Sequence, residues 1–373
     1  MKIIGCDFHP SFQQIARFDS ETGEITELRL SHANAEATKF YESLTGPAVV
    51  GVEASGNMRW FQRLLARLGH TLLIGDATKM RAGNPRKQKT DKRDARYILD
   101  ILLEKRFPSI WVPSMEEVDL RQLLKHRHTL VQMRTRVKNQ LQHIAINEGF
   151  QKKRKLWTVE GLGFLRNLAL GPWTGRRRDD LLQLLEQLHG QIQEMNQAAE
   201  KEAAKQPLVQ LLMTHPGVGP ILGLATVLTL GTVQRFERSK NATSYVGLIP
   251  SEDSSGERRR LGGISKQGNS FMRFLLVQAG MVAARHEPEL GRFYQRLVHK
   301  KHHGVAKVAV ARKLLVRLYW MLRTNTPYPE VVVRTQGSSS HSVAKKAKTE
   351  RLSGRPASRK KGKQNKQPGK NQQ

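Results

Sequence analysis

The run Ala48-Val49-Val50-Gly51-Val52-Glu53 carries no polar side chain before its last residue. That unbroken apolar character makes it a strand buried on both faces, and such a strand needs helices above and below it. The surrounding chain supplies them. Lys2 to Asp7, Gln13 to Phe18 and Ile25 to Leu30 read as an antiparallel meander turned at Glu21-Thr22-Gly23-Glu24, and a helical stretch from Ala33 to Leu44 leads into the buried strand. A helix from Met58 to Leu68, a strand from His70 to Ile74 and a Gly/Asn/Pro loop bearing Lys79, Arg81, Arg86, Lys87 and Lys89 follow. The loop ends at Lys89-Thr90-Asp91-Lys92-Arg93-Asp94-Ala95, after which Ala95, Ile98, Leu99, Ile101, Leu102 and Leu103 mark the apolar side of a helix. The α/β pattern closes near Pro113.

Four acids stand at telling places in this pattern. Asp7 and Glu53 end strands, and in α/β sheets ligands gather at the carboxyl ends of strands. Asp91 and Asp94, three residues apart, share one face of a helical first turn. Taken alone, that pair is a helix start in which Asp91 is the N-cap and Asp94 complements the macrodipole. Four carboxylates converging within one domain of a basic chain are better explained by divalent metal.

The formal net charge is +31 over 373 residues, which points to a polyanionic partner. From Arg334 onward twelve lysines and arginines face a single acid, Glu350, in a stretch of Ser, Lys, Gln, Gly and Pro expected to be disordered. The remaining body is still strongly basic, as a shaped nucleic-acid surface requires. Cys6 is the sole cysteine, which excludes an internal disulfide or a thiolate zinc site and suits a reducing cytoplasm. No run is long enough to span a membrane, and with the strand pattern starting at Lys2 no signal peptide is expected.

Beyond Glu116 the periodicity turns helical. Leu120, Leu123, Leu124, His128, Val131, Arg134, Val137 and Leu141 recur at helical intervals, as do Leu181, Leu184, Leu185, Leu188, Ile192 and Met195. A Lys152-Lys153-Arg154-Lys155 break separates the two runs, so they form an arm, either packed within the monomer or self-associating as a coiled coil. His126, His128 and His143 lack acidic or thiolate partners here and read as polar-contact residues. Next, His215-Pro216-Gly217-Val218-Gly219-Pro220 opens an apolar helix with free backbone amides that suit a phosphate, in the manner of a helix-hairpin-helix element. Gly247-Leu248-Ile249-Pro250 leads to a loop in which Ser254-Ser255-Gly256 precedes Arg258-Arg259-Arg260, followed by Ile264-Ser265-Lys266-Gln267-Gly268-Asn269. By chemistry alone this is a flexible, phosphate-touching loop, since no general base is demonstrably adjacent. Helices from Phe271 to Ala284 and from Val305 to Leu322 are apolar enough to form the core beneath it.

In this order, Asp7, Gly51-Val52-Glu53-Ala54-Ser55-Gly56, the Thr90–Ala95 segment, Pro216-Gly217-Val218-Gly219-Pro220, Ser255-Gly256 and Ile264–Asn269 resemble the DEDD transposases of bacterial insertion sequences, the insertion-sequence 110 family, over about residues 1–322. The resemblance implies a ribonuclease-H/RuvC-like α/β domain over 1–113, a helical coiled-coil arm over 114–205, and a mostly helical C-terminal transposase domain over 206–330 that supplies a serine. The basic tail, 331–373, lies outside the pattern. It implies Asp7, Glu53, Asp91 and Asp94 as ligands of two Mg2+ ions, and Ser255 as the nucleophile, with Ser254 and then Ser265 as alternatives. It implies recombination of donor and target DNA guided by a bridge RNA, in a homodimer or homotetramer, in the bacterial cytoplasm at the nucleoid. Lys87, Lys89, Arg93, Gly217, Gly219, Arg258, Arg259, Arg260 and Lys266 are the expected nucleic-acid contacts. Two other functions fit the composition: an Mg-dependent junction endonuclease that does not rejoin, and a non-catalytic nucleic-acid-binding protein.

Overall fold

The computed structural model describes residues 1–83, 90–150, 155–253, 260–328 and 330, and the chain divides into two compact units, Met1–Ser114 and Met115–Gln373. In the first, β1 (Lys2–Phe8), β2 (Phe12–Asp19) and β3 (Ile25–Ser31) form the antiparallel meander. Helix α1 (Glu36–Glu42) crosses to β4 (Ala48–Glu53), parallel to β1, and α2 (Arg59–Arg67) crosses to β5 (Thr71–Gly75), parallel to β4. The strand order is therefore β3-β2-β1-β4-β5, the mixed α/β sheet that a ribonuclease-H-like domain requires. Helices α3 (Ala77–Gly83) and α4 (Asp91–Leu103) complete the unit.

The period-two alternation of the strands assigns each face its cover. Ile4, Cys6, Ile15, Val50 and Val52 turn to one side and are buried with Tyr41 of α1 and Phe61 and Leu65 of α2. Cys6 simply packs there, its Sγ 3.7 Å from Gln13 Oε1, which also accepts from the Tyr41 hydroxyl at 3.1 Å. On the other side Ala16 packs with Ala95 and Leu99 of α4. Helix α4 can lie this close because Gly5 and Gly51 sit side by side in register. A Cβ on Gly5 would stand 2.3 Å from both Ala95 O and Leu99 N, and one on Gly51 would stand 2.7 Å from Leu102 Cδ1. Two missing side chains thus seat the helix on the strands.

Two local details differ from the sequence expectation. The basic loop after β5 begins as a helix, α3, because the Asp76 carboxylate accepts from the amides of Thr78 at 2.9 Å and Lys79 at 3.2 Å, and Met80 is buried beneath. At the start of α4 the N-cap is Thr90, whose hydroxyl accepts from Arg93 N at 3.4 Å, so Asp91 is the first helical residue rather than the cap.

The second unit is helical. Helix α5 (Met115–Asn147), α6 (Val159–Arg166) and α7 (Pro172–Ala204) share a core of Leu130, Val137, Leu141, Leu156, Leu165, Leu185, Leu188 and Ile192. Arg127 reaches Asn196 at 2.9 Å and Arg177 reaches Gln140 at 3.0 Å, so α5 and α7 run antiparallel. Helix α7 begins at Pro172, earlier than its apolar periodicity, because the proline at its first turn needs no amide partner. Helices α8 (Pro207–Met213), α9 (Pro220–Leu230) and α10 (Ser239–Tyr245) follow, then a hairpin of β6 (Pro250–Glu252) and β7 (Leu261–Ile264), then α11 (Ser270–His286), α12 (Pro288–Val298) and α13 (His303–Thr324). Ala199 and Ala203 at the end of α7 join the core that α8, α9, α11 and α13 build. The turn between α8 and α9 holds Gly217 at φ 84°, pressed against α11: a Cβ there would stand 2.7 Å from Ala283 N. Among the described residues no helix is long and apolar enough to cross a membrane.

Candidate active site

The acid pair of α4 is delivered by the glycine contact. With Ala95 and Leu99 lying on Gly5, the first turn of α4 falls at the carboxyl end of β1, where Asp7 stands. Cys6 pairs with Val52, so Asp7 and Glu53 each follow by one residue on adjacent parallel strands and share the face that α4 covers. Because Thr90 performs the capping, the Asp91 carboxylate is left for other partners.

One such partner is His9. Its Nε2 lies 3.1 Å from Asp7 Oδ2 and 3.6 Å from Asp91 Oδ1, and its ring stacks on Phe12 at 4.5 Å between centroids. Ligand atoms of Asp7, His9 and Asp91 all fall within 4.8 Å of one another. Burial raises the pKa of Asp7, the His9 imidazole opposes that rise, and the nearby Asp94 and Asp91 carboxylates add to it. Three acids thus repel one another in a partly buried place, and a cation of high charge relieves that repulsion. Two carboxylates with one imidazole suit a divalent ion, oxygen donors favouring a hard one.

Glu53 is oriented otherwise, its Oε1 3.5 Å from Arg81 Nη2 of α3. The strand-end acids and the α4 pair are thus on one face, with Asp7 and Asp91 drawn together around His9 and Glu53 engaged with a mostly exposed arginine. His9 belongs to this cluster although it stands outside the four-acid pattern. Its signal was the i, i+2 spacing from Asp7, which on an extended strand puts both side chains on one face.

The remaining predicted positions divide by location. Lys87, Lys89, Ser254, Ser255, Arg258 and Arg259 lie outside the described residues. The hairpin that frames the serine segment is described: Asp253 N donates to Arg260 O at 3.0 Å, and Arg260 is exposed. Lys266 is exposed at φ 55°, whereas the Ser265 hydroxyl is sealed from solvent. Arg93 is exposed on the first turn of α4, beside Asp94.

A DEDD transposase model of IS110 elements matches residues 4–145, and a model described as "Transposase IS116/IS110/IS902 family" matches residues 209–295. The chain belongs to the IS110 family of transposases. It is 26% identical to the transposase for insertion sequence element IS1111A of Coxiella burnetii, over 87% of this chain and 90% of that one. It is likewise 26% identical to the transposase for insertion sequence element IS1328 of Yersinia enterocolitica, over 80% and 90% of the two chains. This IS110-family transposase is therefore a DNA-acting enzyme, and its first match begins inside β1 and runs through the acid-bearing α4. A DEDD transposase works with a divalent metal, and Asp7, His9 and Asp91 form a cluster able to hold one.

Proposed function

We propose that this transposase cuts and rejoins donor and target DNA strands of its insertion sequence, with Asp7, Glu53, Asp91 and Asp94 as the ligands of two Mg2+ ions and Ser255 as the nucleophile. The observation that carries this reading is the meeting of Asp7 and Asp91 at the carboxyl end of β1, with Glu53 on the neighbouring strand end. Bound there, the ions would polarise the scissile phosphate and offset charge on the entering and leaving oxygens. The chain's own residues do the rest. The Ser255 Oγ attacks phosphorus, one Oγ–P bond forms as one P–O bond to deoxyribose breaks, and the departing oxygen takes up a proton. A phosphodiester replaces a phosphodiester, so attack by the hydroxyl of a second strand releases the serine and rejoins DNA without an outside energy source. Arg258, Arg259 and Arg260 follow the serine in sequence and supply the cations that grip the same phosphate in this reading.

Lys87, Lys89, Arg93, Lys266 and the amides around Gly217 and Gly219 hold the nucleic-acid backbone, the latter as a helix-hairpin-helix element joining α8 and α9. A bridge RNA pairs with donor and target, leaving the protein to recognise shape and charge, which a chain of net charge +31 is fitted to do. Exchange of two duplexes needs several active sites, so the working form is a homodimer or homotetramer in the bacterial cytoplasm. Incubating the full chain with Mg2+ and DNA carrying the element's ends tests this. Scission that Asp94→Asn abolishes, together with a denaturation-resistant protein–DNA adduct that Ser255→Ala removes, is the expected outcome. Full scission by Ser255→Ala would instead favour a junction endonuclease that does not rejoin.

A further inference from the structure

A groove of about 700 Å3 lies within the second unit, bounded by α5, the end of α9, Tyr245 and the start of α11. Its lining is not that of an ordinary core gap. Tyr245, Phe271 and Phe274 bring three aromatic rings to it, with Tyr245 and Phe274 at 42% and 39% exposure. Arg121 and Lys125 bring cationic groups, and Gln122, Gln132 and Asn269 bring amides. The walls are braced from behind. Arg121 Nε donates to Leu228 O at 3.1 Å, Asn269 caps α11 by accepting from Met272 N at 3.1 Å, and Arg235 lies 4.5 Å from the centre of the Tyr245 ring. The ring of His128 rests against Phe271 and Phe274, at 4.7 and 4.8 Å, and burial with the adjacent Arg127 lowers its pKa, so at neutral pH it adds a polar edge without a charge.

We propose that this groove holds one unpaired nucleotide, its base against Phe274 and Tyr245 and its phosphate toward Lys125 and Arg121. A purely apolar ligand would leave the exposed Lys125 ammonium and the Gln122 and Gln132 amides unanswered, and a duplex is too broad for a cleft of this volume. A base has a face for an aromatic ring and an edge for amides, and its phosphate answers the positive charge. The volume is within the range of small-ligand sites. The proposal rests on the chain's acting on nucleic acid, and names a contact for it within the second unit. DNA and guide RNA both offer unpaired nucleotides, and they share this chemistry.

The test uses the full chain with matched single-stranded DNA and RNA oligonucleotides carrying 2-aminopurine or a photoreactive thiopyrimidine. Quenched 2-aminopurine fluorescence and crosslinks mapping to Tyr245, Phe271 or Phe274 are expected. Phe274→Ala and Lys125→Glu, both at exposed positions, should each weaken single-strand binding about tenfold and restore the fluorescence, with duplex binding changed far less. An abasic probe should bind wild type and Phe274→Ala alike. Preference for the RNA probe assigns the nucleotide to the guide, and preference for DNA assigns it to the substrate strand. Crosslinks confined to other segments, or wild-type single-strand affinity in both variants, overturn the proposal. Mg2+-dependent scission measured on the same proteins reports separately on the active site, so failure of one reading leaves the other legible.

Discussion

Replacing Gly5 by alanine should do more damage than any other single-methyl change in the N-terminal sheet. A strand interior disfavours glycine, so on propensity alone the substitution would stabilise the fold by about 0.5–1 kcal/mol. The structure reverses that sign. The new Cβ would sit 2.3 Å from Ala95 O and Leu99 N, both backbone atoms of α4, and ordinary contact begins near 3.4 Å. Neither atom can rotate away, so α4 must retreat by about 1 Å, at a cost of about 1–3 kcal/mol for overpacking of this kind. The retreat also carries Asp91 and Asp94 away from Asp7, and a displacement of about 1 Å at a reacting centre can cost about a hundredfold in rate. Gly51→Ala is the internal control, because its Cβ meets the Leu102 Cδ1 atom at 2.7 Å, the end of a side chain that can change rotamer. Urea unfolding followed by circular dichroism, with metal-dependent strand scission on the same samples, measures both consequences. Gly5→Ala should lose stability and nearly all scission, and Gly51→Ala should lose much less of each. A Gly5→Ala protein as stable and active as wild type would refute the claim that the helix-on-glycine contact sets the acid geometry.

Other perturbations have equally definite outcomes. His215 is buried against Tyr328, its Nδ1 2.8 Å from Pro216 O, and burial followed by the nearby Arg317 lowers its pKa to about 4. Between that value and its ordinary 6.5 the unfolded chain binds the extra proton, so this group's stabilising share is complete above 6.5 and lost as pH falls toward 4, up to about 3 kcal/mol. Urea unfolding across this range should show the slope, and His215→Gln should flatten it. Arg317 bonds Glu287 at 3.0 Å and Glu289 at 2.6 Å in a buried cluster, so Arg317→Met should cost about 3–5 kcal/mol by stranding Glu287, seen as a large fall in Tm. Asp94→Asn should reduce metal-dependent scission by at least about 10²–10³-fold with little change in Tm, a split that a purely structural acid would not give. His9→Ala should leave the fold intact but remove the imidazole that holds Asp7 and Asp91 together, lowering scission less than loss of either acid does.

Much of the N-terminal unit was legible because strand burial and strand ends are written in short patterns. Asp7 is the penultimate residue of β1, Glu53 is the last of β4, and α4 opens at Asp91. What the pattern could not give was why the acids meet, since the close approach of α4 depends on Gly5 and Gly51 falling opposite each other, a register known only once the sheet is paired. His9 is hard to read from sequence for a related reason, lying just past the strand on a face defined by its neighbours. The β6–β7 hairpin escaped because three- and four-residue strands carry too little alternation to register. Helix α12 is hidden in the sequence for another reason. Pro288 reads as a break, yet it stands at the first turn, where Glu287 caps by accepting from Leu290 N at 2.6 Å.

Titrating Mn2+ into the full chain by calorimetry, for wild type, Asp7→Asn and Asp91→Asn, puts the meeting of these carboxylates to the test without any DNA. Saturable binding in wild type that weakens at least about tenfold in each variant is the expected result. Superimposable isotherms for all three proteins would contradict it.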